Sequence, residues 1–291
     1  SEKKIYVPRF WGIKHFGYPK SIKISKGETI NLKFDGSMRD YQEDVKKLFL
    51  EATNFQEKDN NKGDGSALIE LWTGAGKTVL ALNILATINK KTIIFVHKTF
   101  LKNQWIERIQ QFLPNARVGT IQGQVIDIED KDIVIAMIQS ISMKSYPESM
   151  FESFGLSIYD ECHHISSEVF SNCLKKCTTL YSLGLSATME RKDGLTKVFK
   201  MYLGNICNED MIKNNKNKDD VLVKAIDYKV IDDDEFNEIE YDYRGNIKYS
   251  TMISKLSKYN YRNDFIIDVI ENELRINKKQ HQLSSPISTK S

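Results

Sequence analysis

No apolar run in this sequence approaches the ~20 residues that a membrane-spanning helix needs, so no membrane partner is expected. Cysteine and proline are scarce, at four and five among 291 residues. That scarcity excludes a disulfide-stapled secreted scaffold and a proline-rich extended chain. The sequence also lacks a signal-peptide pattern. We therefore expect a soluble intracellular protein with reduced thiols.

An excess of one charge is missing as well. Lysine and arginine number 42 against 39 acidic residues, which gives a net charge of +3. Because a nucleic-acid track can be a local surface, this near-balance argues neither for nor against nucleic acid. The length allows one large domain or two medium ones, with a real hydrophobic core.

The cysteines and neighbouring histidines leave two interpretations open. Cys162 is followed by His163 and His164, and then by Cys173 and Cys177. These could ligate zinc, but the spacing fits no compact zinc pattern. Cys173 and Cys177 are four residues apart, as on one helix face, so we favour ordinary buried thiols.

Residues 38–207 alternate between apolar strands and helical segments. The expected strands are Ala67–Trp72, Thr92–Val96, Ile133–Met137, Leu156–Tyr159 and Tyr181–Leu185. Helices are expected between them, including one from Asp40 and one from Thr78 to Thr87. Near-continuous apolar strands, each followed by a helix, predict an α/β fold with a parallel sheet covered on both faces.

The flanking segments have other compositions. Residues 1–37 predict a small β-rich extension with strands at 22–24 and 30–34; the alternative is an aromatic, basic surface on which bases stack. Residues 208–220 are almost entirely polar and predict an exposed linker. In residues 221–277 we expect a strand over 221–230 and a helix over 253–274, and residues 278–291 are expected to be a disordered tail.

A glycine-rich loop follows the first central strand and opens a helix. Its residues are Thr73, Gly74, Ala75, Gly76, Lys77 and Thr78. Backbone N–H groups of such a loop can surround phosphate oxygens at a helix N-terminus. The ammonium of Lys77 can reach the β and γ phosphates, and the hydroxyl of Thr78 can ligate Mg²⁺. The general pattern has another glycine where this chain has Leu71, but the short form does not require it. The loop predicts an ATP site.

Two acidic residues follow the strand that ends at Tyr159. Asp160 could hold Mg²⁺, and Glu161 could orient and deprotonate an attacking water. Adjacent acids at a strand end are common on solvated loops, so the pair gains its meaning from the phosphate loop. Together they predict a Mg²⁺-ATP hydrolysis site.

With these motifs the chain resembles a superfamily 2 helicase of the DExH type, whose fold is a RecA-like P-loop NTPase. The resemblance is carried by Asp160-Glu161-Cys162-His163 and by Ser186-Ala187-Thr188, which matches the coupling motif of that family. Arg39 and Gln42 resemble its adenine-binding element, so Gln42 would hydrogen-bond the adenine edge and Arg39 would help to hold the base.

The same resemblance implies contacts with a nucleic-acid backbone. His97 and Lys98 match a segment that contacts phosphates, and Gln122 and Gln139 lie where later contacts fall. Such contacts carry little sequence specificity. The implied partner is DNA, with RNA as the open alternative.

The segment Gly184–Gly194 continues the coupling motif with Arg-x-Asp-Gly, which is typical of the branch with XPB-type and UvsW-type helicases. The opening Val7–Gly12 and the later Tyr249–Ile253 look most like the versions in large cytoplasmic DNA viruses. For a viral protein, the host cytoplasm or the virion is the expected location.

Members of this family need a second RecA-like lobe that supplies arginine fingers. Residues 221–277 resemble only the start of that lobe, and no Gln-x-x-Gly-Arg-x-x-Arg motif occurs. We expect an ATP-dependent DNA helicase or translocase whose turnover is weak in isolation, and whose second lobe could belong to a separate chain. The alternatives are a non-catalytic nucleotide- and nucleic-acid-binding module and a translocating subunit of a restriction-type enzyme, although no nuclease motif is visible.

Overall fold

The computed structural model describes residues 5–53, 55, 65–160, 167–187, 195–215, 226–229 and 239–276. The chain divides into two compact units, Ser1–Asp219 and Asp220–Ser291. No helix within the described ranges is both long enough and apolar enough to cross a membrane.

The first unit is built around a seven-stranded sheet with the order β1-β7-β6-β2-β5-β3-β4. The strands are β1 (Ser66–Glu70), β2 (Thr92–Val96), β3 (Val118–Gln122), β4 (Val125–Asp127), β5 (Ile133–Met137), β6 (Leu156–Tyr159) and β7 (Tyr181–Ser186). Every pairing is parallel except that of β3 with β4. The five expected strands are all present, whereas β3 and β4 were not predicted from the sequence.

The helices of the first unit flank this sheet. They are α1 (Arg9–Phe16), α2 (Asp40–Ala52), α3 (Lys77–Ile88), α4 (Thr99–Phe112), α5 (Ile138–Met143), α6 (Ser167–Lys176), α7 (Leu195–Leu203) and α8 (Glu209–Asn215). The expected helices at Asp40 and after the glycine-rich loop are confirmed as α2 and α3.

Hydrophobic cores cover both faces of the sheet, as the near-continuous apolar strands predicted. In β2, Ile94 and Val96 belong to one core cluster, while Ile93 and Phe95 belong to the other. This division follows from the alternation of side chains along a strand. Phe95 is fully buried and stacks on Tyr159 of β6 with ring centroids 4.7 Å apart. Burial of one such side chain stabilises the fold by about 1.5–3 kcal/mol.

The N-terminal segment differs from the prediction. Residues 9–16 form helix α1, and the expected strands at 22–24 and 30–34 are not strands in the described part of the chain. This stretch forms one isolated bridge, from Thr29 to Lys90. Leu32 donates its backbone N–H to Oδ1 of Asn89 at 2.9 Å. The segment thus docks through hydrogen bonds to the ends of α3 and α4 and to the stretch before β6 instead of joining the sheet.

Within the expected linker at 208–220, Asn208 is buried and Glu209–Asn215 form α8, while residues 216–220 lie outside the described residues. Asn208 is 1% exposed. Its side-chain oxygen accepts the N–H of Glu70 at 3.1 Å, and its amide donates to the carbonyl oxygen of Glu70 at 2.7 Å. Since β1 ends the described sheet, these bonds satisfy polar groups on its outer edge. The polar side chain of Asn208 therefore pairs with the edge of β1.

The described part of the second unit contains α9 (Tyr249–Lys258) and α10 (Asn260–Ile276). The single helix expected over 253–274 is thus two helices that break at Tyr259. Residues 226–229 are not in a strand, and the rest of the strand expected over 221–230 lies outside the described residues, as does the expected tail at 278–291.

An ion pair joins the starts of β3 and β5. The guanidinium of Arg117 donates two hydrogen bonds to Asp132, at 3.0 and 2.8 Å, and the backbone N–H of Arg117 donates a third at 2.9 Å. The hydrogen bonds from Arg117 lower the pKa of the Asp132 carboxyl below its ordinary value. A lowered pKa means that the stabilisation is present above the unfolded-state value near 3.9 and is lost as pH falls through the folded-state value.

We expect Asp132→Asn to lower the thermal unfolding midpoint at pH 7, because the ionised acceptor of Arg117 is lost. The difference from wild type should shrink as pH falls below 4. The matched control is Asp127→Asn, since Asp127 pairs with Lys131 across 3.3 Å but is half exposed. It should change the midpoint little. Equal effects of the two substitutions at pH 7, measured by circular dichroism, would contradict this account.

Candidate functional site

Parallel pairing places the carboxyl ends of six strands at one edge of the sheet. The glycine-rich loop follows β1, Lys98 follows β2, and Asp160 follows β6. Gln139 follows β5, and Ser186 ends β7. The predicted residues therefore share one sheet edge, where ligands bind in open α/β folds. Glu161, Cys162, His163 and Thr188 lie outside the described residues.

The glycine-rich loop has the backbone conformation that its glycines permit. Gly74 has φ of 83°, and Gly76 has φ of 74° in the left-handed region immediately before α3. The side chain of Lys77 is turned into the loop, where its Nζ donates to the carbonyl oxygen of Leu71 at 3.2 Å. Lys77 is 9% exposed. The ammonium is therefore enclosed by the loop itself.

Gln42 of α2 holds the glycine-rich loop through hydrogen bonds to its backbone. Its Nε2 donates to the carbonyl oxygens of Ala75 at 3.0 Å and Gly76 at 3.2 Å. Its Oε1 accepts the backbone N–H of Arg39 at 2.9 Å. The sequence predicted a role for Gln42 in holding adenine, which stays a prediction. The contacts with the loop were not predicted, because they join residues more than thirty positions apart.

Two aromatic side chains beside the loop were missed at the sequence level. Tyr41 donates its hydroxyl to the carbonyl oxygen of Ala75 at 2.7 Å and accepts from the guanidinium of Arg39 at 3.1 Å. Its ring lies 5.1 Å from that of Trp72, measured between centroids. Trp72 was expected to end the first strand, but β1 ends at Glu70 and the indole is 48% exposed.

Hydrogen bonds to β2 and to α4 help to hold Asp160 at the end of β6. Its backbone N–H donates to the carbonyl oxygen of Phe95 in β2 at 3.1 Å. Its Oδ2 accepts the indole N–H of Trp105 in α4 at 2.8 Å. Asp160 is 6% exposed. Trp105 is 1% exposed, and its polar contact with Asp160 was not predicted from the sequence.

The residues of the coupling motif connect β7 to the phosphate loop. Ser186 is fully buried, and its carbonyl oxygen accepts the N–H of Leu71 at 3.0 Å. Leu71 is also the residue whose carbonyl oxygen accepts from Lys77. Ala187 follows at the same edge and is half-buried. The coupling motif and Lys77 are thus both hydrogen-bonded to the backbone of Leu71.

Of the four residues predicted to contact nucleic acid, two bond to each other and two have other neighbours. Gln139 donates its amide to the carbonyl oxygen of His97 at 3.1 Å, so the ends of β5 and β2 are joined. Gln122 accepts from Nζ of Lys102 at 2.6 Å. Lys98 is exposed, and its ammonium lies 5.9 Å from the centre of the Phe100 ring. Lys98 therefore presents a cation to solvent at this edge.

The thiols of Cys173, Cys177 and Cys207 are unreactive because burial raises the pKa of each. Cys173 and Cys177 are at most 2% exposed, as expected for core cysteines. Burial raises the pKa of both thiols well above the ordinary value. Burial also raises the pKa of Cys207 to about 12. These cysteines are therefore protonated at neutral pH and are poor nucleophiles.

The residues at this edge fit a Mg²⁺-nucleotide. A β carbon at Gly74 would meet no atom within 4 Å, so the loop is open at that point. At Gly76, a β carbon would lie 2.6 Å from Nε2 of Gln42. Backbone N–H groups before a helix suit phosphate, and a carboxylate and a hydroxyl supply the oxygen ligands that Mg²⁺ prefers. Thr78 and Asp160 are the residues that would hold the metal.

We expect Gly76→Ala to destabilise the chain more than Gly74→Ala. Both substitutions place a side chain at positive φ, at a cost of about 1–2 kcal/mol. Only alanine at 76 would also displace the buried Gln42 amide and break its bonds to the loop, which adds roughly 1–2 kcal/mol. Denaturant unfolding measures the difference, and equal losses would show that Gln42 does not fasten the loop.

Comparison with known proteins agrees with this geometry. Residues 35–191 match the family model described as "Type III restriction enzyme, res subunit". "Putative ATP-dependent RNA helicase L396" of Acanthamoeba polyphaga mimivirus is 30% identical over 271 residues, covering 92% of this chain and 50% of that protein. "Putative helicase 161L" of Invertebrate iridescent virus 6 is 29% identical over 272 residues, covering 92% and 57%.

A cellular relative matches a shorter stretch. "DNA 3'-5' translocase XPB2" of Sulfurisphaera tokodaii is 34% identical over 203 residues, covering 68% of this chain and 42% of that protein. The chain spans about half the length of the relatives it matches. The family match covers more than half of the chain and includes the phosphate loop, Asp160 and the coupling motif. The chain therefore belongs to the family described as "Type III restriction enzyme, res subunit", and it carries the ATPase domain of a superfamily 2 helicase.

Proposed function

We propose that this chain is the ATP-binding lobe of an ATP-dependent DNA translocase or helicase. The observation that carries the proposal is the convergence of the phosphate loop and Asp160 at one sheet edge, with Lys77 enclosed in the loop. The exposed Lys98 follows β2 at the same edge. The carboxyl ends of the strands would therefore form the binding sites for both the nucleotide and the nucleic acid.

Each residue would have a separate task in ATP hydrolysis. Lys77 would leave the carbonyl of Leu71 and bind the β and γ phosphates. Thr78 and Asp160 would hold Mg²⁺, which when bound offsets phosphate charge. Glu161 would orient the attacking water and accept its proton. Arg39 would help to hold the adenine, and Gln42 would reach the adenine edge by leaving the loop carbonyls that its amide now binds. Because Ser186 and Lys77 both bond to Leu71, a change at the phosphates would reach the coupling motif.

Turnover by these residues alone should be slow. A second lobe that supplies arginine fingers is worth ~10³–10⁵ in rate in related ATPases. The chain spans about half the length of its relatives. We propose that residues beyond these 291, in the same or a separate chain, complete the catalytic site.

The proposal predicts Mg²⁺-dependent binding of ATP by the purified chain. Lys77→Ala should weaken ATP binding at least about tenfold, because a charge-assisted bond to phosphate is lost. Glu161→Gln should bind ATP normally but abolish the slow hydrolysis. Calorimetry measures the binding, and phosphate release measures the turnover. Binding that is unaffected by Lys77→Ala would contradict the assigned site; binding with no turnover in wild type would favour the non-catalytic module.

Nucleic-acid binding is tested at Lys98. Lys98→Ala should weaken binding of a single-stranded oligonucleotide uniformly across sequences and reduce the salt slope by about 1. The matched control is Lys131→Ala, since Lys131 precedes β5 at the opposite edge of the sheet. Fluorescence anisotropy with DNA and RNA probes distinguishes the two tracks. An equal loss in both variants would argue against a track at this edge.

A further inference from the structure

Trp105 combines complete burial with a polar contact at the proposed metal site. It lies in the middle of α4 and is 1% exposed. A buried indole N–H needs an acceptor, because an unsatisfied polar group in a protein interior is costly. The acceptor is Oδ2 of Asp160 at 2.8 Å, a distance typical of a hydrogen bond to a charged group.

This contact constrains a carboxylate whose backbone is already fixed. Asp160 donates its N–H to the carbonyl oxygen of Phe95, which places its α carbon at the end of β2. The side chain could still rotate about its own bonds. The indole restricts that rotation, because it holds one of the two carboxylate oxygens. The backbone bond fixes the position of Asp160, and the bond from Trp105 constrains the orientation of its carboxylate.

Packing alone does not account for tryptophan at position 105. The same face of α4 buries Ile109 against the same core cluster, and an aliphatic side chain suffices there. A phenylalanine at 105 would fill most of the indole volume but could not donate a hydrogen bond. The core thus does not require the indole N–H for packing, and this group supplies the hydrogen bond to Asp160.

We propose that Trp105 is a positioning residue for the metal-binding carboxylate, and that its indole N–H fixes the orientation in which Asp160 would meet Mg²⁺. The inference rests on the proposed function, since it takes Asp160 as a ligand of Mg²⁺. Partners that orient metal ligands commonly contribute about 10–100-fold to metal affinity. The effect should therefore be seen in the metal dependence of nucleotide binding.

The test compares Trp105→Phe with the matched core control Ile109→Val. The affinity of each chain for a fluorescent ADP analogue is measured with saturating Mg²⁺ and again with EDTA. In Trp105→Phe, the Mg²⁺-dependent gain in affinity should fall about tenfold, while the affinity in EDTA stays unchanged. Ile109→Val should lower the unfolding midpoint but keep the full gain.

A second measurement needs no change at Trp105. In the wild-type chain labelled with ¹⁵N-tryptophan, the three indole N–H resonances are assigned with the variants Trp11→Phe and Trp72→Phe. Addition of Mg²⁺ to the ADP-bound chain should shift the Trp105 resonance, because its acceptor becomes a metal ligand. Trp11 stacks on His15 in the N-terminal helix and serves as the internal control.

The outcomes separate the two proposals. If wild type binds no ADP, the proposed function fails, and this inference fails with it. If wild type binds ADP with a Mg²⁺-dependent gain that Trp105→Phe preserves, the proposed function stands and the role of Trp105 is overturned. An unshifted Trp105 resonance on addition of Mg²⁺ overturns it as well.

Discussion

Parallel pairing of β1, β7, β6, β2 and β5 is the constraint on which the candidate site depends. Each strand in such a set ends at the same edge, so residues far apart in sequence become neighbours without specific contacts of their own. The pairing is stable because both faces of the sheet are buried, with alternate residues of β2 assigned to different core clusters. Burial of the apolar strands therefore brings polar residues together at the carboxyl ends of the strands.

The phosphate loop and the carboxylate are each held by hydrogen bonds from a different helix. Gln42 of α2 donates to two loop carbonyls, and Trp105 of α4 donates to Asp160. Helix α4 begins immediately after Lys98, so the exposed cation directly precedes the helix that carries the indole. In the same way Leu71 joins the coupling motif to Lys77. Preorganised polar groups of this kind lose little freedom when a ligand binds.

The central strands and the phosphate loop could be predicted from the sequence, because each depends on residues that are close together in the chain. Apolar runs mark the buried strands, and glycines before Lys77 mark a loop that needs positive φ. The segment at 22–34 alternates like a strand, yet its partner is the αL residue Asn89 at the end of α3. Asn208 looked solvated because its sequence neighbours are polar, but it pairs with the edge of β1. Local patterns do not specify such partners.

The same limit explains why the hydrogen bond between Trp105 and Asp160 was not predicted from the sequence. Its position on the apolar stripe of α4 predicts burial correctly, and burial obliges the indole N–H to find an acceptor. Which acceptor it finds depends on β6, whose Asp160 is 55 positions away in sequence. Few polar groups are available inside a sheet-and-helix core, so a buried donor tends to be paired where polar residues are kept for function. A buried tryptophan that donates to a carboxylate at the carboxyl ends of the strands therefore contributes more than core volume.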